Sequence, residues 1–193
     1  MADKMTILGI AGSLREDSYN RAALRAAQAL APPDVKLEIF ELDDVPSFNQ
    51  DEERNPPPLI AKLKKRIRAA DAILFVTPEY NYSVPGVLKN VIDWASRPYG
   101  DNAWEGKPCA IMGASVSILG SARAQYHLRQ ICVYLNMHPI NRPEVMIGNA
   151  AERFDEDGNL TDETSKKLIR ELLESLVEWT RQLQAETRAP SYS

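Results

Sequence analysis

The stretch from Asp71 to Ser96 constrains the fold more than any other part of this 193-residue chain. Residues 71–76 (DAILFV) form an almost uninterrupted apolar run, which predicts a buried strand of a parallel sheet. Pro78 ends that strand, and a polar loop with two tyrosines follows. Ser83 is predicted as the N-cap of a helix that starts at Pro85, where a missing N–H group is tolerated. The helix continues to the end of the stretch because its apolar residues recur at the spacing of one helical face.

Composition and charge place the chain among ordinary globular proteins, with 44% hydrophobic and 26% charged residues. Residues 1–186 are predicted to form a single domain and residues 187–193 a disordered tail. A formal net charge of −4 disfavours nucleic acid and anionic membranes as partners. The sequence has no signal-peptide pattern and no apolar run of roughly 18 residues, so we expect a cytoplasmic protein that does not enter the membrane.

The cysteines and histidines indicate no metal or thiol chemistry. Cys109 and Cys132 form no C-x-x-C motif and fall in a predicted strand and a predicted helix, so we expect free, buried thiols. His127 lies in the same predicted helix and His138 beside a proline, which makes a metal site built from these two side chains improbable.

Strands and helices alternate along the chain. Strands are predicted at 5–12, 35–40, 71–76, 108–114 and 138–147, and helices at 21–31, 59–70, 85–96, 122–135 and from an N-cap at Thr161 onward. This alternation predicts an α/β fold, a three-layer sandwich around a five-stranded parallel sheet. The second strand alternates in polarity and belongs at an edge, whereas the first and third are apolar throughout and belong at the centre. The strand order 2-1-3-4-5, which is that of flavodoxin-like proteins, satisfies both conditions.

Ligands of such sheets bind at the carboxyl ends of the strands, so we expect a site at the loops 12–20, 77–83 and 113–121. The first loop brings hydroxyl, amide and guanidinium groups to the start of a helix, where the dipole also favours an anion. These groups suit a monophosphate. They belong to Ser13, Arg15, Ser18 and Asn20. The alternative is a capped helix with a surface arginine. Neither G-x-x-x-x-G-K-[ST] nor G-x-G-x-x-G is present, which disfavours nucleotide hydrolysis and a Rossmann dinucleotide site.

The second and third loops suit a flat ring. Glu79, Tyr80, Asn81 and Tyr82 offer hydrogen-bonding groups and aromatic surface, and the small residues of the third loop allow a ring to approach the backbone. Alternatively, the aromatic residues Tyr82 and Trp94 could form a subunit contact. A monophosphate site and a ring site at adjacent loops together predict FMN.

Four motifs, GSLREDSYN, TPEYNYSVPGVLKNVIDWASR, GSARAQYHLRQ and RPEVM, resemble the NADPH-dependent FMN reductase family. Within it the chain is most similar to the branch of bacterial quinone reductases, chromate reductases and azoreductases, over nearly its whole length. The resemblance implies homodimers or homotetramers with the flavin near a subunit interface. It also implies that the FMN phosphate is held by Ser13, Arg15, Ser18 and Asn20, that the ring is lined by Pro78, Glu79, Tyr80 and Asn81, and that Ser115 lies near the ring edge.

The function predicted is an NAD(P)H-dependent oxidoreductase that carries two electrons in a ping-pong cycle. NADPH or NADH is the expected donor, and quinones, free flavin, azo compounds or chromate are the expected acceptors. No catalytic side chain is predicted because the FMN carries the chemistry. Two alternatives remain, a non-catalytic electron carrier of the flavodoxin type and an FMN-dependent regulatory module.

Overall fold

The structure, a computed structural model, describes residues 4–188 and contains one sheet of parallel strands. β1 lies between β2 and β3, β4 follows β3, and two short strands, β5 and β6, both pair with β4. The order 2-1-3-4-5 predicted from polarity is therefore confirmed. The strands are β1 (Met5–Ala11), β2 (Val35–Phe40), β3 (Ala72–Val76), β4 (Pro108–Ala114), β5 (His138–Pro139) and β6 (Val145–Ile147).

The predicted fifth strand at 138–147 is divided into two. β5 pairs with the start of β4, where Pro108 faces His138, and β6 pairs with its end, where Met112 faces Val145. The residues between them include Pro143, which has no N–H group to donate to a ladder. The sheet consequently has one more strand than expected, and β6 supports the end of β4 from which the third loop leaves.

Helices cover both faces of the sheet, so the predicted three-layer arrangement is also confirmed. α1 and α5 pack on one face and α2, α3 and α4 on the other, each face with its own buried apolar cluster. The apolar runs of β1, β3 and β4 face both clusters, which explains why these strands lack alternation. The helices are α1 (Tyr19–Ala29), α2 (Pro58–Ala69), α3 (Gly86–Ala95), α4 (Ala122–Tyr134) and α5 (Glu163–Arg188).

Two of the predicted N-caps are wrong. Pro85 rather than Ser83 precedes α3 and forms no side-chain cap. The Ser83 hydroxyl instead lies 2.9 Å from Nδ1 of His127 on α4. At α5 the cap is Asp162, whose Oδ2 accepts a 2.7 Å hydrogen bond from the Ser165 N–H, while the Thr161 hydroxyl donates to a carbonyl outside the helix. In both cases the hydroxyl predicted as the cap has a partner outside its own helix, and another residue occupies the N-cap position.

We expect Asp162→Ala to lower the free energy of unfolding by about 1 kcal/mol at neutral pH, the usual value of an N-cap. Hydrogen bonding by Ser165 and the nearby Arg153 guanidinium hold the pKa of the Asp162 carboxyl below its ordinary value. A lowered pKa means that the stabilisation is present at neutral pH and is lost as the pH falls through that pKa. Urea unfolding of wild type and variant should therefore differ at neutral pH and converge in acid; a difference that persists unchanged in acid would contradict the assignment.

The C-terminal helix extends further than the sequence suggested. α5 continues to Arg188, so the first two residues of the segment 187–193, expected to be disordered, are helical. Residues 189–193 lie outside the described part of the chain. Among residues 4–188, no helix combines the length and apolar character that crossing a bilayer requires.

Candidate functional site

A cleft of about 370 Å³ opens at the carboxyl ends of β1, β3 and β4. Its volume is within the usual range of small-molecule sites. It lies at the switch point, where the chain connections from β1 and β3 leave in opposite directions. All the residues predicted to bind the cofactor line it except Asn81. The lining residues are Ser13, Arg15, Ser18, Tyr19, Asn20, Pro78, Glu79, Tyr80, Ala114, Ser115 and Val116.

The first loop forms a cradle of donors at the start of α1. Ser18 is the N-cap, and its Oγ accepts hydrogen bonds from the backbone N–H groups of Asn20 and Arg21 at 3.2 and 3.4 Å. The Ser13 hydroxyl accepts from the Arg15 N–H at 3.3 Å. Both serines are buried and use only an acceptor in these contacts, so each hydroxyl hydrogen remains available to an anion in the cleft.

Arg15 supplies the positive charge of this cradle. Its guanidinium donates to the Asp17 carbonyl oxygen and lies 5.7 Å from the centre of the Tyr19 ring. Within the part of the chain that the structure describes, it forms no ion pair with a carboxylate. A guanidinium with no acidic partner at a helix N-terminus is well suited to a phosphate, which it can bind through two oxygens.

The Asn20 side chain forms its hydrogen bonds with the protein backbone. Its Nδ2 donates to the Ala114 carbonyl oxygen, its Oδ1 accepts from the Ala114 N–H, both at 2.9 Å, and the residue is 3% exposed. The sequence predicted a phosphate ligand here, whereas the side chain in the structure joins the start of α1 to the end of β4.

The second loop is a tight hairpin turn. Tyr80 and Ser83 exchange backbone hydrogen bonds of 3.1 and 3.0 Å, with Asn81 and Tyr82 at the tip in left-handed conformation, φ 49° and 66°. A bulky residue is strained there, because its side chain crowds the backbone. The turn directs Asn81 away from the cleft and into solvent, which explains why it alone among the predicted residues does not line the site.

Glu79 fixes this turn to α4. Ser121, which precedes that helix, adopts a left-handed conformation and forms no side-chain cap. The Glu79 carboxylate takes over that role, accepting from the N–H groups of Arg123 and Ala124 at 3.0 and 3.3 Å and from Arg123 Nε at 2.5 Å. The Arg123 guanidinium also stacks on the Tyr82 ring, 3.7 Å from its centre. Although Glu79 lines the cleft, its carboxylate serves as the cap of another helix.

We expect Glu79→Ala to lower the free energy of unfolding by about 2 kcal/mol, because it removes a helix cap and a charged partner of Arg123. Glu79→Gln keeps one acceptor oxygen and should lose about half as much. Glu174→Ala is the matched control, since Glu174 is exposed on α5 and forms no ion pair within the described residues. Urea unfolding of the three variants tests this, and a Glu79→Ala variant as stable as the control would exclude the capping role.

The third loop is held close to the sheet. The Ser115 N–H donates to Ile147 of β6 and its carbonyl oxygen accepts from Ala150, each at 3.0 Å. Its hydroxyl accepts from the Ser117 N–H at 3.2 Å. Ser115 is half-buried and lines the cleft, and its position depends on β6, a strand that the sequence pattern did not separate.

The aromatic and thiol side chains outside the cleft have structural roles. Trp94 is 1% exposed and its Nε1 donates to the Pro46 carbonyl oxygen, so the suggestion that it forms a subunit contact is wrong. Cys109 and Cys132 are free and fully buried, as predicted, with Sγ atoms 3.9 Å apart. The hydrogen bond with Cys132 and burial raise the pKa of the Cys109 thiol, which disfavours the reactive thiolate.

Residues 5–152 match the family model for NADPH-dependent FMN reductase. The chain belongs to the NADPH-dependent FMN reductase family. This membership confirms the resemblance seen in the motifs, and with it an oxidoreductase that uses FMN and a nicotinamide nucleotide.

Similar proteins agree with this family. The chain is 50% identical over 184 residues to an NAD(P)H-dependent FMN reductase of Pseudomonas aeruginosa, covering 95% of this chain and 99% of that one. It is 41% identical over 181 residues to a 2-hydroxy-1,4-benzoquinone reductase of Burkholderia sp, covering 94% and 98%. Among solved structures, it is similar to FerB, a flavoenzyme NAD(P)H:(acceptor) oxidoreductase from Paracoccus denitrificans, with a TM-score of 0.85, 38% identity and coverage of 92% and 98%.

Several cleft residues were not predicted from the sequence. Tyr19 follows the Ser18 cap directly, and Ala114 and Val116 flank Ser115, so their neighbours could have indicated them. Arg123 is joined to the site through Glu79, 44 positions earlier in the sequence, and no local pattern signals such a contact.

Proposed function

We propose that the cleft binds FMN and that the protein uses it to pass two electrons from NADPH or NADH to a quinone or free flavin in a ping-pong cycle. The observation that carries this proposal is that one cleft at the switch point contains both an anion cradle and a wall of flat and small residues. Among residues 4–188, no carboxylate forms an ion pair with the guanidinium of that cradle. Ser13, Arg15 and Ser18 would hold the phosphate. Pro78, Tyr80 and the backbone of Ala114–Val116 would contact the ring.

The charge of the groups that line the cleft fits the phosphate of FMN. Of the described carboxylates, Glu79 alone lines the cleft, and its oxygens accept hydrogen bonds from α4, so they do not oppose a phosphate directly. The cradle therefore combines the positive end of α1, a free guanidinium and two hydroxyl hydrogens. This set favours a monophosphate over a neutral ligand.

When bound, FMN supplies the electron-transfer chemistry, and the chain's own residues bind, orient and shield. The ordered backbone of the second and third loops, fixed by Glu79 and Ser115, would set the orientation of the ring. No side chain of the cleft needs to act as a nucleophile. This division of labour agrees with the absence of a predicted catalytic residue.

A flat apolar acceptor suits the surface around the cleft. Six large apolar side chains on the three loops are exposed, and we call them the apolar rim: Leu14, Tyr80, Tyr82, Val116, Ile118 and Leu119. Such a surface favours quinones, the acceptors named for the relative from Burkholderia, and free flavin. Azo compounds and chromate are further acceptors that the same electron chemistry could reduce.

We also propose that the protein forms a homodimer or homotetramer in the cytoplasm. The exposed face of α4 carries Tyr126, Val133 and Tyr134, and together with the apolar rim it is a large apolar surface for a monomer. Free thiols at Cys109 and Cys132 suit a reducing compartment. Sedimentation equilibrium should give two or four times the chain mass, and a monomer at all concentrations would overturn the association.

Steady-state kinetics test the proposed activity. With FMN bound, initial rates measured against NADPH at several fixed quinone concentrations should give parallel double-reciprocal lines, since donor and acceptor would use one site in turn. Intersecting lines would overturn the ping-pong order. A protein that binds FMN without any turnover would overturn the reductase and favour the electron carrier or the regulatory module.

A further inference from the structure

The end of β4 extends beyond its partner in the sheet. β3 and β4 pair until Val76 faces Met112, and the Thr77 N–H then donates to the Met112 carbonyl oxygen. Pro78 follows, has no N–H group and turns the chain away from the sheet. Because successive residues of a strand face opposite neighbours, Ala114 directs its N–H and C=O groups to the same side as Met112, where β3 has already ended.

The Asn20 carboxamide fills this position. It donates to the Ala114 carbonyl oxygen and accepts from the Ala114 N–H, both at 2.9 Å. One donor and one acceptor at adjacent atoms are what a strand residue presents to its partner. Ala114 is 2% exposed and Asn20 3%, so these bonds are shielded from water in the intact protein.

We propose that Asn20 is a positioning residue that takes the place of a missing strand partner and holds the Ala114–Ser115 backbone against the cleft, rather than a ligand of the phosphate. This inference depends on the proposed FMN site. The backbone N–H of Asn20 also donates to Ser18 Oγ, the cap of α1. One residue thereby fixes the phosphate cradle and the third loop in a single arrangement.

Asparagine is the side chain that this role requires. An ionised aspartate keeps the acceptor for the Ala114 N–H but directs a second negative oxygen at the Ala114 carbonyl oxygen. A protonated aspartate has one donor and one acceptor and restores both bonds. Alanine leaves both backbone groups without a partner. The pH dependence of Asn20→Asp therefore reports on the two backbone bonds.

The stability of the apoprotein is the first readout. Asn20→Asp and Asn20→Ala are melted without FMN over a series of pH values from about 4 to about 8, so that the carboxyl of Asn20→Asp passes from its protonated to its ionised form. Both variants should melt below wild type at the higher pH, and Asn20→Asp should recover at the lower pH while Asn20→Ala does not. The other titratable groups of the cleft, Arg15, Tyr19, Glu79 and Tyr80, are common to all three proteins, so their titration cancels in the comparison. Asn141→Asp, an exposed site outside the cleft, controls for the added charge.

Ligand binding separates positioning from phosphate contact. Quenching of flavin fluorescence gives the dissociation constants of FMN and of riboflavin, which lacks the phosphate. A positioning residue affects the ring and the phosphate alike, so Asn20→Asp at the higher pH should weaken both ligands by about the same factor, of the order of tenfold. Arg15→Ala, by contrast, should weaken FMN alone.

The outcomes are distinct. Loss of FMN affinity alone, with an unchanged melting temperature of the apoprotein, would identify Asn20 as a phosphate ligand and overturn the inference. A variant that matches wild type in every measurement would overturn it as well. If Arg15→Ala leaves FMN binding unchanged, the proposed site fails, whereas the role of Asn20 is still decided by the melting of the apoprotein. Asn20→Asp at the lower pH keeps the test decisive if Asn20→Ala does not fold.

Discussion

Gly113→Ala is expected to lower the free energy of unfolding by about 3 kcal/mol, at the upper end of the usual cost of overpacking. A Cβ atom at Gly113 would overlap the Ser121 Oγ and the Thr77 carbonyl oxygen. The hydroxyl can rotate, but the carbonyl belongs to the backbone at the end of β3 and accommodates a methyl group only if the sheet shifts. Because β4 and the second loop meet at this point, the variant should also weaken FMN binding.

Gly86→Ala is the matched control for this prediction. Gly86 is the first residue of α3, and a Cβ atom there would have no neighbour within 4 Å. Alanine at such a position restricts the unfolded chain, so the variant should be as stable as wild type or up to about 1 kcal/mol more stable. Urea unfolding of the two apoproteins measures the difference. Equal stability of the two variants would contradict the close contact at Gly113.

Arg15→Ala is expected to weaken FMN binding by about 10- to 100-fold, since a hydrogen bond to a charged group contributes about 1.5–3 kcal/mol. The guanidinium is the positive side chain of the cradle and has no carboxylate partner within the described residues, so no internal ion pair competes with the phosphate. Arg15→Lys keeps the charge without the two-pronged geometry and should fall between wild type and Arg15→Ala.

Fluorescence quenching of FMN at low and high salt measures this effect. Wild type should lose affinity as salt rises, and Arg15→Ala should lose less, because part of the screened attraction is already absent. Arg25→Ala provides the control, since Arg25 is an exposed residue of α1 that does not line the cleft. Equal affinity in Arg15→Ala and Arg25→Ala would remove Arg15 from the phosphate site.

The sheet order could be predicted because it depends on polarity along each strand. Alternation in Val35–Phe40 indicates an edge, and the apolar runs of β1 and β3 indicate the centre, since a strand covered on both faces has no solvated side. Once that order is known, the carboxyl ends of the strands locate the site. The cleft accordingly contains most of the predicted residues.

The roles of individual site residues could not be predicted in the same way. Asn20 and Ala114 are 94 positions apart, and Glu79 and Arg123 are 44 apart. Each polar side chain suits a ligand when only its own loop is considered. In the structure each satisfies backbone groups that the fold leaves without partners, and these groups become visible only when strand ends and helix starts are known. The wrong prediction of Ser83 as an N-cap has the same cause, since the Ser83 hydroxyl has a partner on α4.

An anaerobic absorbance titration tests the central claim most directly. The purified protein is loaded with FMN, its flavin absorbance is followed while NADPH and then NADH are added, and a quinone is added last. The account predicts that a nicotinamide nucleotide bleaches the flavin band with one equivalent per FMN and that the quinone restores it. A protein that binds FMN and responds to neither nucleotide would contradict the account.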